Sequence, residues 1–200
     1  NELTNQIGPI KNTNWGGIAD VKSIKKAYDL TMTTRALENH TDNPYRFPTQ
    51  GYIFLHCLEN SKFGGANTIS DGFYIAEYLK KNFKDYFNTL TTFHTFFEYQ
   101  DENACLQNNC TLIELDNEKS VSQVRYNNRT EIMPFKNQKD LDKYIEARRK
   151  FWSLIKSKKN NLEIKQQSGD MLILDNYRVL HGRTGYKDTE NKRYFRQGYM

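Results

Sequence analysis

His40 and Asp42 are separated by one residue. A histidine and a carboxylate at that spacing point the same way if the segment is extended. A second histidine brought alongside by the fold, His181, would complete two imidazoles and one carboxylate on one face of a metal ion. Such a set leaves the opposite face open and suits non-haem Fe(II) working on dioxygen. A His-x-Asp pair alone occurs often by chance, so the flanking residues must decide. Asn43-Pro44-Tyr45-Arg46-Phe47-Pro48 follow, and two prolines so close make a stiff, non-helical loop that can hold a carboxylate in one pose.

The elements that must position these groups can be read in outline. Residues 1–20 are polar and Gly-bearing. Trp15-Gly16-Gly17 reads either as a turn with a packed indole or as a pocket wall where glycine lets backbone approach a ligand. Residues 28–39 read as loop with a short extended stretch. Tyr52 to Leu58 is an apolar run expected to form a strand buried on both faces, with His56 as a core histidine rather than a ligand. Residues 66–73 suggest a second strand and a helix start near Asp71, and helical apolar spacing runs from Phe73 through Leu79 to Phe87 and Leu90. Strands are expected over 93–100, 111–116 and 120–126, with Asn127-Asn128 as a turn. The clearest helix spans 138–156, where Leu141, Tyr144, Ile145, Arg148, Phe151, Trp152 and Ile155 keep a helical period. Met171 to Leu174 is an apolar strand running into Asp175 to Arg183, and a polar loop from Tyr186 to Lys192 precedes Arg193 to Tyr199. The Asn108-Asn109 and Lys158 to Asn161 patches read as loops. Many short strands and two helices predict a mainly β, double-sheet fold with helical cover.

Composition narrows the function classes. Two hundred residues fit one domain. The net charge of +5 is scattered, which argues against a nucleic-acid groove. Arg148-Arg149-Lys150 and Lys156 to Lys159 are expected on the solvent side of a helix. Three cysteines, Cys57, Cys105 and Cys110, give no disulfide framework and fit a reducing compartment, so the expected location is cytoplasmic. No apolar run approaches the ~20 residues a membrane span needs. The chain has neither an initiator Met nor a signal-peptide pattern, and it stops at Tyr199-Met200, as expected of a partial chain.

Several stretches together resemble the γ-butyrobetaine and trimethyllysine dioxygenase group of the taurine dioxygenase superfamily. They are His40 to Arg46, Leu55 to Leu58, Gly64-Gly65 with Asp71-Gly72-Phe73, Arg125 to Asn128, and Asp175 to Arg183. The resemblance covers the chain from about Trp15 to Tyr199. It implies a double-stranded β-helix (jelly-roll, cupin-like) forming one catalytic domain over 1–200, without the separate N-terminal domain and extreme C-terminus of family members. It implies an Fe(II)/2-oxoglutarate-dependent hydroxylase that uses O2 on an unactivated C–H bond and releases succinate and CO2. Homodimers are common in the group.

By the same resemblance, His40, Asp42 and His181 match the iron ligands and Arg193 matches the arginine that grips 2-oxoglutarate. A guanidinium suits that task because it meets a carboxylate with two charged hydrogen bonds. Asn67 falls where a supporting Ser or Thr is usual, with Thr68 as an alternative donor, and Leu55 is expected to pack on the cosubstrate. Trp15 and Tyr199 match two members of an aromatic cage for trimethylammonium, each face worth ~0.5–2 kcal/mol. Ala19 and Met32 replace the cage's tryptophan and tyrosine. Asn127 or Asn128 resembles the asparagine that receives the substrate's acidic end, Asn128 being the one chosen, and Asn43 is expected to face the same region. The implied substrate is a small zwitterion, a quaternary ammonium or amino-acid compound. The competing reading is a catalytically silent metal or small-molecule binding module on the same scaffold.

Overall fold

The computed structural model describes residues 6–27, 29–134, 137–188 and 193–200. In chain order the strands are β1 (Ile18–Lys22), β2 (Leu37–His40), β3 (Tyr52–Glu59), β4 (Phe63–Gly64), β5 (Asn67–Asp71), β6 (Thr95–Gln100), β7 (Cys105–Cys110), β8 (Ile113–Leu115), β9 (Val121–Val124), β10 (Glu131–Ile132), β11 (Leu162–Ile164), β12 (Met171–Asp175), β13 (Val179–Arg183), β14 (Tyr186–Lys187) and β15 (Tyr194–Tyr199). The helices are α1 (Gly72–Asn82), α2 (Lys84–Thr92) and α3 (Gln138–Ile155).

Two four-stranded antiparallel sheets form the frame, in the orders β1-β15-β3-β12 and β11-β5-β13-β2. The apolar run of β3 makes sense in that order, because it lies inside its sheet and Ile53, Phe54, Leu55 and Cys57 are all buried. Ile53, Leu55, Leu174, Phe195 and Tyr199 of the first sheet pack with Ile69 and Val179 of the second. Side chains from both sheets thus share one core, the arrangement expected of a double-stranded β-helix.

The helices bury a second, larger cluster. Ile75 and Leu79 of α1, Phe87 and Leu90 of α2, and Tyr144, Phe151 and Ile155 of α3 pack with Phe97, Ile113 and Val124. Asp71 closes the start of α1 by accepting from the amides of Phe73 and Tyr74 at 3.0 and 3.1 Å. Asn137 does the same for α3 through the Asp140 amide at 3.0 Å.

The structure departs from the expected elements in several places. The single helical run from Phe73 to Leu90 is two helices, because Phe83 leaves helical geometry at φ −143°, ψ 61°. Cys105–Cys110, with Asn108-Asn109 inside it, is a strand at the edge of the β10-β6-β7 sheet. Its side chains are exposed or half-buried throughout, so no apolar alternation marks it. Ile18–Lys22 is likewise an edge strand, and it begins inside the polar, Gly-bearing stretch 1–20. Arg148 is not on the solvent side: it ion-pairs with Glu131 at 2.6 Å and lies over the Tyr126 ring. The polar loop expected from Tyr186 to Lys192 begins instead with β14, which pairs with β4, and beyond Asp188 it lies outside the described residues. Among the described residues no helix is long and apolar enough to cross a membrane.

Close approach of strands around β13 requires glycine at 182. A Cβ there would meet the Leu37 carbonyl oxygen, Asn39 Oδ1 at 2.7 Å and Thr68 Oγ1 at 2.8 Å, atoms of the strands on both sides. Gly182→Ala is therefore expected to cost about 1–3 kcal/mol by overpacking. The check is chemical denaturation, and an unchanged midpoint would contradict this reading.

Candidate metal centre and substrate pocket

His40 ends β2, and His181 lies in β13 directly opposite it in the antiparallel register. The two rings face each other with centroids 4.8 Å apart and planes tilted by 36°. Asp42 completes the group: its Oδ1 is 3.2 Å from His40 Nε2 and its Oδ2 is 3.7 Å from His181 Nε2. The three side chains are buried and each offers one ligand atom within 4.8 Å of the others. They can hold a metal ion on one side.

The carboxylate reaches this position by a different route from a continuous strand. β2 stops at His40, and Asp42 sits in the following bend. The fully buried Asn176 clamps it: Asn176 Oδ1 accepts from the Asp42 amide at 2.8 Å, and Nδ2 donates to the Asp42 and Gln50 carbonyls at 3.0 and 2.9 Å. Asn43 then turns the chain with a left-handed φ of 52°, which asparagine tolerates.

Electrostatics favour ligation. Burial pushes the Asp42 carboxyl up, but His181, His40 and Arg129 together outweigh it and hold it well below the usual carboxylate range. Burial pushes the His181 imidazole down to about 4, against the pull of Asp42, so it is neutral near pH 7 with a lone pair to offer. His40 Nδ1 lies 2.8 Å from the Glu38 carbonyl oxygen. That acceptor assigns the proton to Nδ1 and leaves Nε2 as a ligand atom. Gln197 Nε2 and the Tyr199 hydroxyl both donate to Asp42 Oδ2, at 2.7 and 2.9 Å. Burial and the neighbouring carboxylate raise the Tyr199 pKa, so its hydroxyl stays a donor.

The group opens into a cavity of about 930 Å³. Seven of the other sequence-derived candidates line it: Trp15, Met32, Asn43, Leu55, Asn67, Arg193 and Tyr199. Two do not. Thr68 follows Asn67 in β5 and so faces the other side of the strand, where its hydroxyl donates to Asn39. Asn128 is turned outward onto Glu38 and Arg148, and its neighbour Asn127 lines the cavity instead.

Arg193 is buried, stacked over the Phe195 ring at 3.8 Å, and its Nε has no hydrogen-bond partner among the described residues. Burial, with Arg183 nearby, pushes its guanidinium down to about 10, so it remains charged. A buried cation with an unmatched donor fits an anion such as a carboxylate. The residues present therefore fit both an iron ion and an acidic cosubstrate.

Sequence reasoning missed Asn176, Gln197 and Arg129 as parts of the site, and also Tyr45 and Tyr99 as a wall. Tyr99 meets Trp15 edge-on at 6.0 Å and stacks on Tyr45 at 5.2 Å, so the aromatic surface is rebuilt from β6. Asn176 stood inside the Asp175 to Arg183 stretch and Gln197 between Arg193 and Tyr199, but nothing local marks which carbonyl or carboxylate they reach.

A family model for the taurine catabolism dioxygenase TauD, TfdA family matches residues 2–199. The chain belongs to this family. It is 30% identical over 205 residues to the γ-butyrobetaine dioxygenase of Homo sapiens, covering 99% of this chain and 52% of that protein. It is 28% identical over 190 residues to the trimethyllysine dioxygenase of Meyerozyma guilliermondii, covering 92% of this chain and 48% of that one. The chain thus spans about half the length of the curated relatives it matches. Among solved structures, asparagine oxygenase in complex with Fe(II), 3-hydroxyasparagine and succinate superposes with a TM-score of 0.72 at 14% identity, over 92% of this chain and 56% of that one. The oxygenase OrfP in complex with Fe and α-ketoglutaric acid gives 0.69 at 17% identity, over 96% and 60%. These likenesses show the fold.

Two outcomes are expected at the metal centre. Replacing Gln197 by Leu together with Tyr199 by Phe frees Asp42 Oδ2, and Mn(II) affinity measured by calorimetry should fall about 10–100-fold; an unchanged affinity would show that these donors do not matter. For the metal-free chain, His181 has a folded pKa of about 4 against an ordinary value of 6.5. Between those values the unfolded chain binds a proton that the folded chain refuses. Stability should therefore fall as pH drops from about 6.5 toward 4, by roughly 2–3 kcal/mol. Denaturation midpoints across that range, compared with His181→Gln, test this; the variant should show the flatter profile.

Proposed function

We propose that this chain is the catalytic domain of an Fe(II)/2-oxoglutarate-dependent dioxygenase acting on a small zwitterion, a quaternary ammonium or amino-acid compound. The observation that supports it most is the convergence of His40, Asp42 and His181 on the wall of a cavity that Arg193 also lines. His40, Asp42 and His181 would hold the iron, and Arg193 would grip the distal carboxylate of 2-oxoglutarate. When bound, iron, keto acid and dioxygen supply the oxidation of an unactivated C–H bond, with succinate and CO2 as products. The chain's own part is to bind, orient and exclude water. Leu55 offers an apolar face in the cavity, and Asn67, held by Gln166 at 2.6 Å, offers a fixed amide beside it. Trp15, Tyr45, Tyr99 and Tyr199 give the pocket an aromatic surface that suits a methylated cation. The named relatives act on γ-butyrobetaine and trimethyllysine, which agrees with that surface.

Iron-dependent succinate formation should fall to background in His40→Ala, Asp42→Ala and His181→Ala. Arg193→Leu should raise the 2-oxoglutarate concentration needed for half-saturation by tenfold or more, on the order expected for one lost charge-assisted pair. Normal turnover in the three ligand variants would remove the assignment.

A further inference from the structure

The amides expected to receive the substrate's acidic end are tied into the fold. Asn43 donates to Gln50 at 3.1 Å and accepts from the Tyr45 hydroxyl at 2.7 Å. Asn127 donates to the Thr41 carbonyl at 3.2 Å, and its Oδ1 accepts from the Arg129 amide at 3.0 Å. Asn127 therefore shapes the loop after β9, and the charged group that this loop presents to the cavity is Arg129.

The other cations of the cavity are engaged elsewhere. Arg183 donates to the carbonyls of Leu30, Thr31, Thr33 and Arg35. Arg196 is exposed and pairs with Asp20 at 3.5 Å. Arg193 is assigned above to the keto acid. Arg129 differs from all three. Asp29 anchors its Nη1 at 3.3 Å, while Nη2 lies 3.1 Å from His40 Nε2, so the free edge of the fork is aimed at the metal centre. A metal ion held at that centre takes the His40 lone pair and leaves Nη2 for another acceptor.

We infer that Arg129 is the receptor for the acidic group of the substrate, and hence the residue that selects an anion-bearing molecule. This rests on the function proposed above for the pocket, and it replaces the neutral amide expected at this place by a charged fork. A planar carboxylate fits that fork with directional, charge-assisted bonds that an uncharged amide cannot match.

The test compares butyrate with butyramide, which differ only in the charge of one end, on the full-length protein without O2. Binding is followed by tryptophan fluorescence with Mn(II) and 2-oxoglutarate present, and also in a metal-free His40→Ala chain, where no imidazole holds Arg129 Nη2. The wild type should prefer butyrate by about tenfold or more. Arg129→Gln should abolish that preference, Arg129→Lys should keep part of it, and 2-oxoglutarate affinity should stay within about twofold in both, because Arg193 is untouched. Butyrate preference surviving in Arg129→Gln, no preference or no binding in the wild type, or a loss of 2-oxoglutarate affinity as large as that of Arg193→Leu would each overturn the inference. Failure of the wild type to bind Mn(II) and 2-oxoglutarate would instead sink the dioxygenase reading. The metal-free titration of His40→Ala, with and without Arg129→Gln, would still decide the role of Arg129.

Discussion

The pairing of β2 with β13 is the constraint on which the site depends. It sets His40 opposite His181, so that two residues 141 positions apart present imidazoles to one point. Strand side chains alternate between faces, so a slip of one residue would send one ring to the other side of the sheet. Register is protected from both directions. β13 is sandwiched between β5 and β2, and Gly182 lets the neighbouring strands close in beside His181. The third group cannot come from the same ladder. It comes from a bend, and a bend needs its own support, which Asn176 supplies from the far end of the chain with three hydrogen bonds.

Burying a carboxylate is costly unless its oxygens are matched. Here Gln197 and Tyr199 of β15 satisfy Oδ2, while Oδ1 is turned toward the lone pair of His40 Nε2, where a metal ion would match both. The same strand contributes Tyr199 to the pocket wall and Phe195 beneath the Arg193 guanidinium. One strand therefore lines both the three-ligand group and the cavity, and the residue just before it, Arg193, is the one proposed to grip the cosubstrate. This economy explains why the last segment of the chain carries so much of the chemistry.

How much of this was legible in the residues follows from which forces act locally. The His40, Asp42 and His181 set stood out because the chain has only four histidines and the flanks of these two are distinctive, whereas Arg193 was marked by the family resemblance. The apolar strands β3 and β12 and the helix α3 were readable because burial imposes a pattern on them. β7 was not, since its inward face is only half-buried and carries Asn108 between Leu106 and Cys110, which hides the alternation. The preference of the cavity for Asn67 over Thr68, and for Asn127 over Asn128, turns on which face each adjacent residue takes, and adjacent residues differ by a whole side of the chain. Tyr99 and Asn176 reach the site through tertiary contacts across 57 or more residues from Asp42, and no short-range signal encodes such a meeting.

The account reduces to a claim about ligands, and an X-ray absorption spectrum of the iron-loaded full-length protein addresses it most directly. It should show one Fe(II) per chain with two imidazole nitrogens and carboxylate oxygen at about 2–2.2 Å, and one imidazole should disappear in His181→Ala. Iron bound without imidazole ligation, or a spectrum unchanged by that substitution, would contradict it.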